Sequence, residues 1–169
     1  MKVLAIVQAR MGSTRLPDKV MRKVGGVTVI ELLLTRLSES NAINQIVVAT
    51  SIDSANDPLV QHVNGLGYET FQGSEQDVLD RFYFAAKQFD ADIVIRITGD
   101  CPLTDPILVD EAIKKFTTSG VDYLCNMSPP TYPDGLDIEV FTFSALERAH
   151  QETKVPSDRE HVTPFIRES

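Results

Sequence analysis

The chain has 169 residues, of which 43% are apolar, 24% charged and 7% aromatic, an ordinary globular composition. A net charge of −8 disfavours a general nucleic-acid binder, and two cysteines are too few for a disulfide framework or a zinc cage. No apolar run approaches the roughly 20 residues that span a bilayer, and the apolar opening lacks a small-residue cleavage pattern, so a cytoplasmic protein with no membrane partner is expected.

Residues 3–9 are a continuous apolar run of strand length, followed by a polar loop with Gly12 and Pro17. Gly25 and Gly26 mark a turn. Residues 27–38 set Val29, Ile30, Leu33, Leu34 and Leu37 at helical spacing. A second buried strand is predicted over 45–50, a helix over 57–66 and a short strand over 68–72. Residues 77–89 put Val78, Leu79, Phe82, Ala85, Ala86 and Phe89 on one helical face, and Phe84 is assigned to the core with them. A strand over 92–98 is broken by Gly99 and Pro102. A helix over 105–118 carries Pro106 in its first turn, where proline is tolerated. A strand over 121–125 and a proline-rich loop follow. Residues 136–143 alternate as a strand, with Asp137 and Glu139 opposite Leu136, Ile138 and Val140. A helix over 143–151 and a capped segment from Ser157 close the chain.

Buried strands alternating with amphipathic helices predict an α/β fold, a mostly parallel sheet with helices on both faces. No linker divides it, so one domain over 1–169 is expected. The abrupt end leaves room for further C-terminal elements in a longer chain. Ligands of such sheets bind beyond the carboxyl ends of the strands, which directs attention to residues 8–19, 51–57 and 98–105.

Residues 1–23 hold six basic side chains against the single acid Asp18, a local charge of +5 that leaves −13 elsewhere. Both the dinucleotide fingerprint and the glycine-rich lysine loop for phosphate are absent from the sequence. In their place, residues 8–19 read QARMGSTRLPDK. Gly12 lets backbone approach a ligand, Ser13 and Thr14 offer hydroxyls, Arg10 and Arg15 fork onto phosphate oxygens, and Lys19 adds a point charge. A mixed-charge surface loop is the plain alternative.

This stretch resembles the opening of the acylneuraminate and deoxy-octulosonate cytidylyltransferases. More closely, the chain resembles the spore coat polysaccharide biosynthesis protein F group, through GSEQDVLDRF (73–82), RITGDCPL (96–103), DGLDIEVF (134–141) and REHVTP (159–164). It departs from the family pattern at Asp18, where glycine is usual. The resemblance implies a Rossmann-like nucleotidyltransferase fold with a mixed sheet. It also implies transfer of a nucleotide, usually from CTP, to a sugar or sugar acid, releasing pyrophosphate for polysaccharide precursor synthesis. Carried over, Arg10, Ser13, Arg15 and Lys19 contact phosphates, Gln8 and Ala9 lie near the base, and Gly73, Ser74 and Asp77 line the nucleotide pocket. Asp100 corresponds to the family's Mg²⁺ aspartate, and with Arg15 and Lys19 forms the expected catalytic set. Relatives often form dimers, which leaves a homodimer open.

The acids also have plainer readings. Asp100 follows a strand and can cap its turn. Asp137 and Glu139 leave one face of a strand and repel unless a cation or donor lies between them, so they read as a second metal site with Asp137, as an acceptor-sugar contact, or as a solvated edge. Asp77 and Arg81 are spaced to pair on a helix surface. Asp53 is a weaker nucleotide candidate. His62 and His150 read as helix-face residues, His161 as an acceptor contact or a structural group, and Cys101 as packing. Two rival functions stand beside the transferase: a glycosyltransferase using a nucleotide sugar, against which Asp100-Cys101-Pro102 lacks the usual D-x-D, and a nucleotide-binding module without catalysis.

Overall fold

The computed structural model describes residues 1–13 and 16–168. Its six-stranded sheet runs β5–β4–β1–β6–β8–β7. Here β1 is Val3–Gln8, β4 Gln45–Ser51, β5 Glu69–Gly73, β6 Ile93–Thr98, β7 Tyr123–Cys125 and β8 Glu139–Thr142. Strands β2 (Lys23–Val24) and β3 (Val27–Thr28) form a small separate hairpin, which shortens the helix predicted from residue 27 to α1, Val29–Leu37. The other helices are α2 (Asp57–Gly65), α3 (Val78–Gln88), α4 (Pro106–Ser119), α5 (Phe143–Glu152), α6 (Pro156–His161) and α7 (Pro164–Glu168).

β1 is the centre of the sheet and pairs in parallel with both β4 and β6. Leu4, Ala5, Ile6 and Val7 are fully buried because both faces are covered. Val3, Ala5 and Val7 face Ile30, Leu33 and Leu34 of α1, Val63 of α2 and Ile113 of α4. Leu4 and Ile6 face Leu79 and Phe82 of α3 and Leu146 of α5. This explains the uninterrupted apolar run, since a strand with helices on both sides has no polar side. β8 alone runs against its neighbours, pairing antiparallel with β6 and β7, so the sheet is mixed, as expected.

Local chemistry sets the helix starts. Thr28 caps α1 by accepting from Glu31 N at 3.2 Å, and Asp105 caps α4 by accepting from Ile107 N at 2.8 Å, with Pro106 next. α4 stops at Gly120, whose φ of +69° suits glycine. Phe84 departs from its predicted core place: it is exposed at 45%, because it leaves α3 on the side away from the sheet.

The chain leaves β1 for β4 and β5 on one side, then returns to β6 on the other. That reversal opens a crevice beyond the carboxyl ends of β1 and β6.

Candidate active site

Two exits meet at this crevice. Gly99, leaving β6, donates its N–H to Gln8 O at 2.8 Å. A Cβ on Gly99 would stand 2.8 Å from Ala9 Cβ and 2.9 Å from Gln8 O, so glycine is required by close approach of the strands rather than by a left-handed turn. The loop after β1 is held from a third strand end. Asn56, buried beyond β4, accepts from Met11 N at 2.9 Å and donates to Ser51 Oγ at 2.8 Å. Asn56 lies in the 51–57 segment but has no local mark of this role, since only the fold carries it to a loop 45 residues earlier. Asp53 is used locally, accepting from Ala55 N at 2.8 Å to cap a short turn.

Asp18 has φ +56° and ψ +25°, the left-handed conformation that glycine adopts without cost and aspartate tolerates. The family's preference for glycine there has this physical reason. The turn lifts Lys19 so that its Nζ donates to Asp100 Oδ2. Burial pushes the Asp100 carboxyl up, but the hydrogen bond and charge of Lys19, with help from Thr98, outweigh it and hold it below the ordinary carboxylate range. Gln8, Ala9, Arg10, Ser13, Lys19 and Asp100 together line a cavity of about 270 Å³. Gly12 is exposed on the same loop with open space around it. Arg15 lies outside the described residues, as does Thr14.

A second cavity, of about 580 Å³, shares Gln8 and Arg10 and adds Val78, Arg81, Arg96 and His161, with Glu75 and Glu160 also on its wall. Arg10 and Glu75 approach to 3.8 Å. The surface pair expected between Asp77 and Arg81 does not form. Arg81 is only 1% exposed and donates through Nη1 to Ser74 O at 2.7 Å, with its stem packed against Gly73. Burial, and then the charge of Arg10, push its guanidinium down to about 10 against the pull of Glu75. Asp77 instead caps α3 through Asp80 N at 2.9 Å and accepts from Arg159 Nε at 2.6 Å. Ser74 Oγ accepts from Asp77 N at 3.0 Å.

Asp137 and Glu139 part company. Glu139 is 3% exposed, not on a solvated edge. Its Oε1 accepts from Tyr123 Oη at 2.7 Å and Thr163 Oγ1 at 2.6 Å, and its Oε2 from Arg96 Nη1. Those partners fill the carboxylate, so it holds protein groups together instead of presenting itself to a ligand. Asp137 is left without a balancing cation: burial, then the charges of Asp134 and Glu139, push its carboxyl up. The charges of Asp100, Asp137 and Asp134 all reach the Cys101 thiol, which burial first of all pushes up. Loop residues Asp134 and Leu136 and turn residues Asp100 and Leu103 share a further cavity of about 460 Å³.

This donor set suits a hard divalent cation. Asp100 already carries a positive partner, and Asp137 lacks one among its acidic neighbours. Among the described residues no group of three His, Cys, Asp or Glu is placed to hold a metal, so a cation at these carboxylates would need its remaining ligands from outside the protein. The histidines are more engaged than sequence suggested. His62 shares a 2.8 Å hydrogen bond with Thr28 Oγ1, and His150 stacks on Tyr83 and bonds Asp80 at 2.9 Å.

Among the described residues no helix is long and apolar enough to cross a membrane. Comparison with known proteins adds a lineage to the geometry. Residues 4–169 match a family model described as cytidylyltransferase. The chain is 45% identical over 169 residues to an uncharacterized protein of Methanocaldococcus jannaschii, spanning all of this chain and 68% of that one. It is 37% identical over 175 residues to the spore coat polysaccharide biosynthesis protein SpsF of Bacillus subtilis, spanning 98% of this chain and 70% of that protein. A solved cytidylyltransferase from Leptospira borgpetersenii superposes over the whole chain and 72% of its own, with a TM-score of 0.95 and 37% identity.

Proposed function

The chain belongs to the cytidylyltransferase family, and from that premise we propose that it transfers CMP from CTP to a sugar or sugar-acid acceptor, releasing pyrophosphate, in the synthesis of a surface polysaccharide precursor. The observation that carries this reading is the meeting of Lys19 and Asp100 where β1 and β6 end. In this reading Asp100 is the cation holder and Lys19 a phosphate binder, in a cavity that Arg10 and Ser13 also line.

In this reading the triphosphate lies along the loop after β1. Arg10 and Lys19 balance its charge, and the hydroxyl of Ser13 and the backbone at Gly12 orient it. The acceptor oxygen forms a bond to the α-phosphorus as the bond to the bridging α–β oxygen breaks, pyrophosphate leaves with that oxygen, and the acceptor's hydroxyl proton passes to water. Such a displacement asks chiefly for alignment and charge neutralisation. In this reading Asp100 and Asp137 would hold Mg²⁺, which supplies electrostatic stabilisation of the phosphate oxygens when bound. Membership of the spore coat polysaccharide group is part of the proposal, supported by the similarity to SpsF.

The test is pyrophosphate release from CTP with Mg²⁺ over a panel of sugars and sugar acids. Asp100→Asn is expected to lower the rate at least about 100-fold, and Lys19→Met to raise KM for CTP about tenfold. Full turnover by Asp100→Asn refutes the site. Release of nucleoside diphosphate from a nucleotide sugar, with none of pyrophosphate from CTP, identifies a glycosyltransferase instead.

A further inference from the structure

Asn56 stands at the start of α2, where an asparagine side chain ordinarily accepts from the helix's own first free N–H groups. Here the side chain makes no such cap bond. It is 4% exposed, and burying a polar side chain costs stability unless its groups are bonded. Its bonds go elsewhere. Oδ1 accepts from Met11 N at 2.9 Å, and Nδ2 donates to Ser51 Oγ at 2.8 Å and to Asp53 O at 3.2 Å. The helix thus forgoes a cap while a residue 45 positions earlier is held.

The place of Met11 explains the need. Ala9 N, one residue past β1, donates to Ala49 O of β4 at 3.2 Å. The next donor in that alternation, two residues on, is Met11 N, and the Asn56 side chain takes it. Asn56 therefore supplies one more rung after the strand has ended. Met11 O in turn accepts from Ser13 N at 2.8 Å and from Asp18 N at 3.3 Å, so both sides of the loop hang on this residue. Asp18 opens the left-handed turn that presents Lys19 to Asp100. We infer that Asn56 is a positioning residue for polyphosphate binding: through Met11 it fixes the backbone from which Ser13 and Lys19 reach the ligand. The inference rests on the nucleotidyl-transfer reading, which lays a triphosphate on this loop, and adds the group that shapes the loop from outside it.

Calorimetric binding of inorganic tripolyphosphate and of CTP, set beside thermal unfolding, tests this. Asn56→Ser is the deciding variant. Serine suits the first position of a helix, but its hydroxyl sits one bond closer to the backbone than Oδ1 and falls short of Met11 N. The substitution is expected to lower affinity for both ligands about tenfold, the effect of one well-made hydrogen bond, while Tm falls by no more than about 4 °C. In turnover it raises KM for CTP about tenfold and leaves kcat within about threefold. In a Lys19→Met background the same substitution costs about threefold or less, because the loop then has less to position. Leu59→Ala, which empties a buried site on α2, lowers Tm further yet leaves both affinities within about twofold. Should Asn56→Ser not fold, Asn56→Ala takes its place with the same expected loss of affinity. Unchanged tripolyphosphate affinity in the Asn56 variant overturns the inference. So does a loss of full size in the Lys19→Met background, or an equal loss in Leu59→Ala. If the intact protein binds neither tripolyphosphate nor CTP, the nucleotidyl-transfer reading falls and the inference with it.

Discussion

At the scale of single residues, two aspartates show how conformation and environment settle what a carboxylate does. Asp18 is held at φ +56° by the turn that presents Lys19. Asp18→Gly is therefore expected to stabilise the fold by about 0.5 kcal/mol, the relief of left-handed strain being partly offset by the greater backbone entropy of unfolded glycine. It also removes the one acid among the basic residues of the opening segment, so CTP affinity rises. Chemical denaturation and titration check both, and a loss of stability would show that the Asp18 side chain contributes more than its backbone costs. Asp100 is held below the ordinary carboxylate range by Lys19. A carboxyl depressed in the folded state contributes stability that is present above its unfolded pKa of about 3.9 and is lost as pH falls through the lower folded value. The stability gap between the intact protein and Asp100→Asn should thus be constant near neutrality and close below about pH 4. A gap that widens in acid contradicts the contact.

At the scale of elements, the crevice depends on strand ends packed against each other. β6 exits against β1 so closely that Gly99 has no room for a side chain. Gly99→Ala is expected to cost about 1–3 kcal/mol, because the clash is with backbone and with Ala9 and cannot be relieved by a rotamer. A melting temperature equal to that of the intact protein would remove this account. The segment between α6 and α7 shows the same economy of space. Val162 sits at φ +71°, a rare state for a β-branched residue, and is fully buried. Its turn leaves His161 on the larger cavity while Thr163 reaches Glu139. Thus the REHVTP stretch, read from sequence only as a family-like run, joins the helical layer to β8 from one end and lines a cavity from the other.

At the scale of the whole molecule, the charge is divided in a way that suits a polyanionic ligand. A chain of net −8 gathers +5 in its first 23 residues, and of these Arg10 and Lys19 line the crevice where β1 and β6 end. Nucleotide binding should weaken as salt screens that island, since exposed charges lose their reach beyond about 8–10 Å at physiological ionic strength. CTP at 100 times its Kd adds about 2.7 kcal/mol, which for a domain of this size raises Tm by roughly 5–10 °C. A thermal-shift series in rising NaCl measures both, and a shift indifferent to salt would mean that the basic loop does not hold the phosphates.

Sequence alone was enough for the layered α/β architecture, the strand that opens it and the basic loop behind that strand. Those features are local: periodicity and charge survive without knowing what packs opposite. The fate of individual acids was not local. Asp77 met Arg159, 82 positions away, and Glu139 met Arg96, 43 positions away, while Arg81 lost its expected neighbour and went inside. Burial and pairing are set by the partner that the fold delivers, so only the assembled sheet and its two helical layers separated carboxylates that brace the protein from the one that meets Lys19.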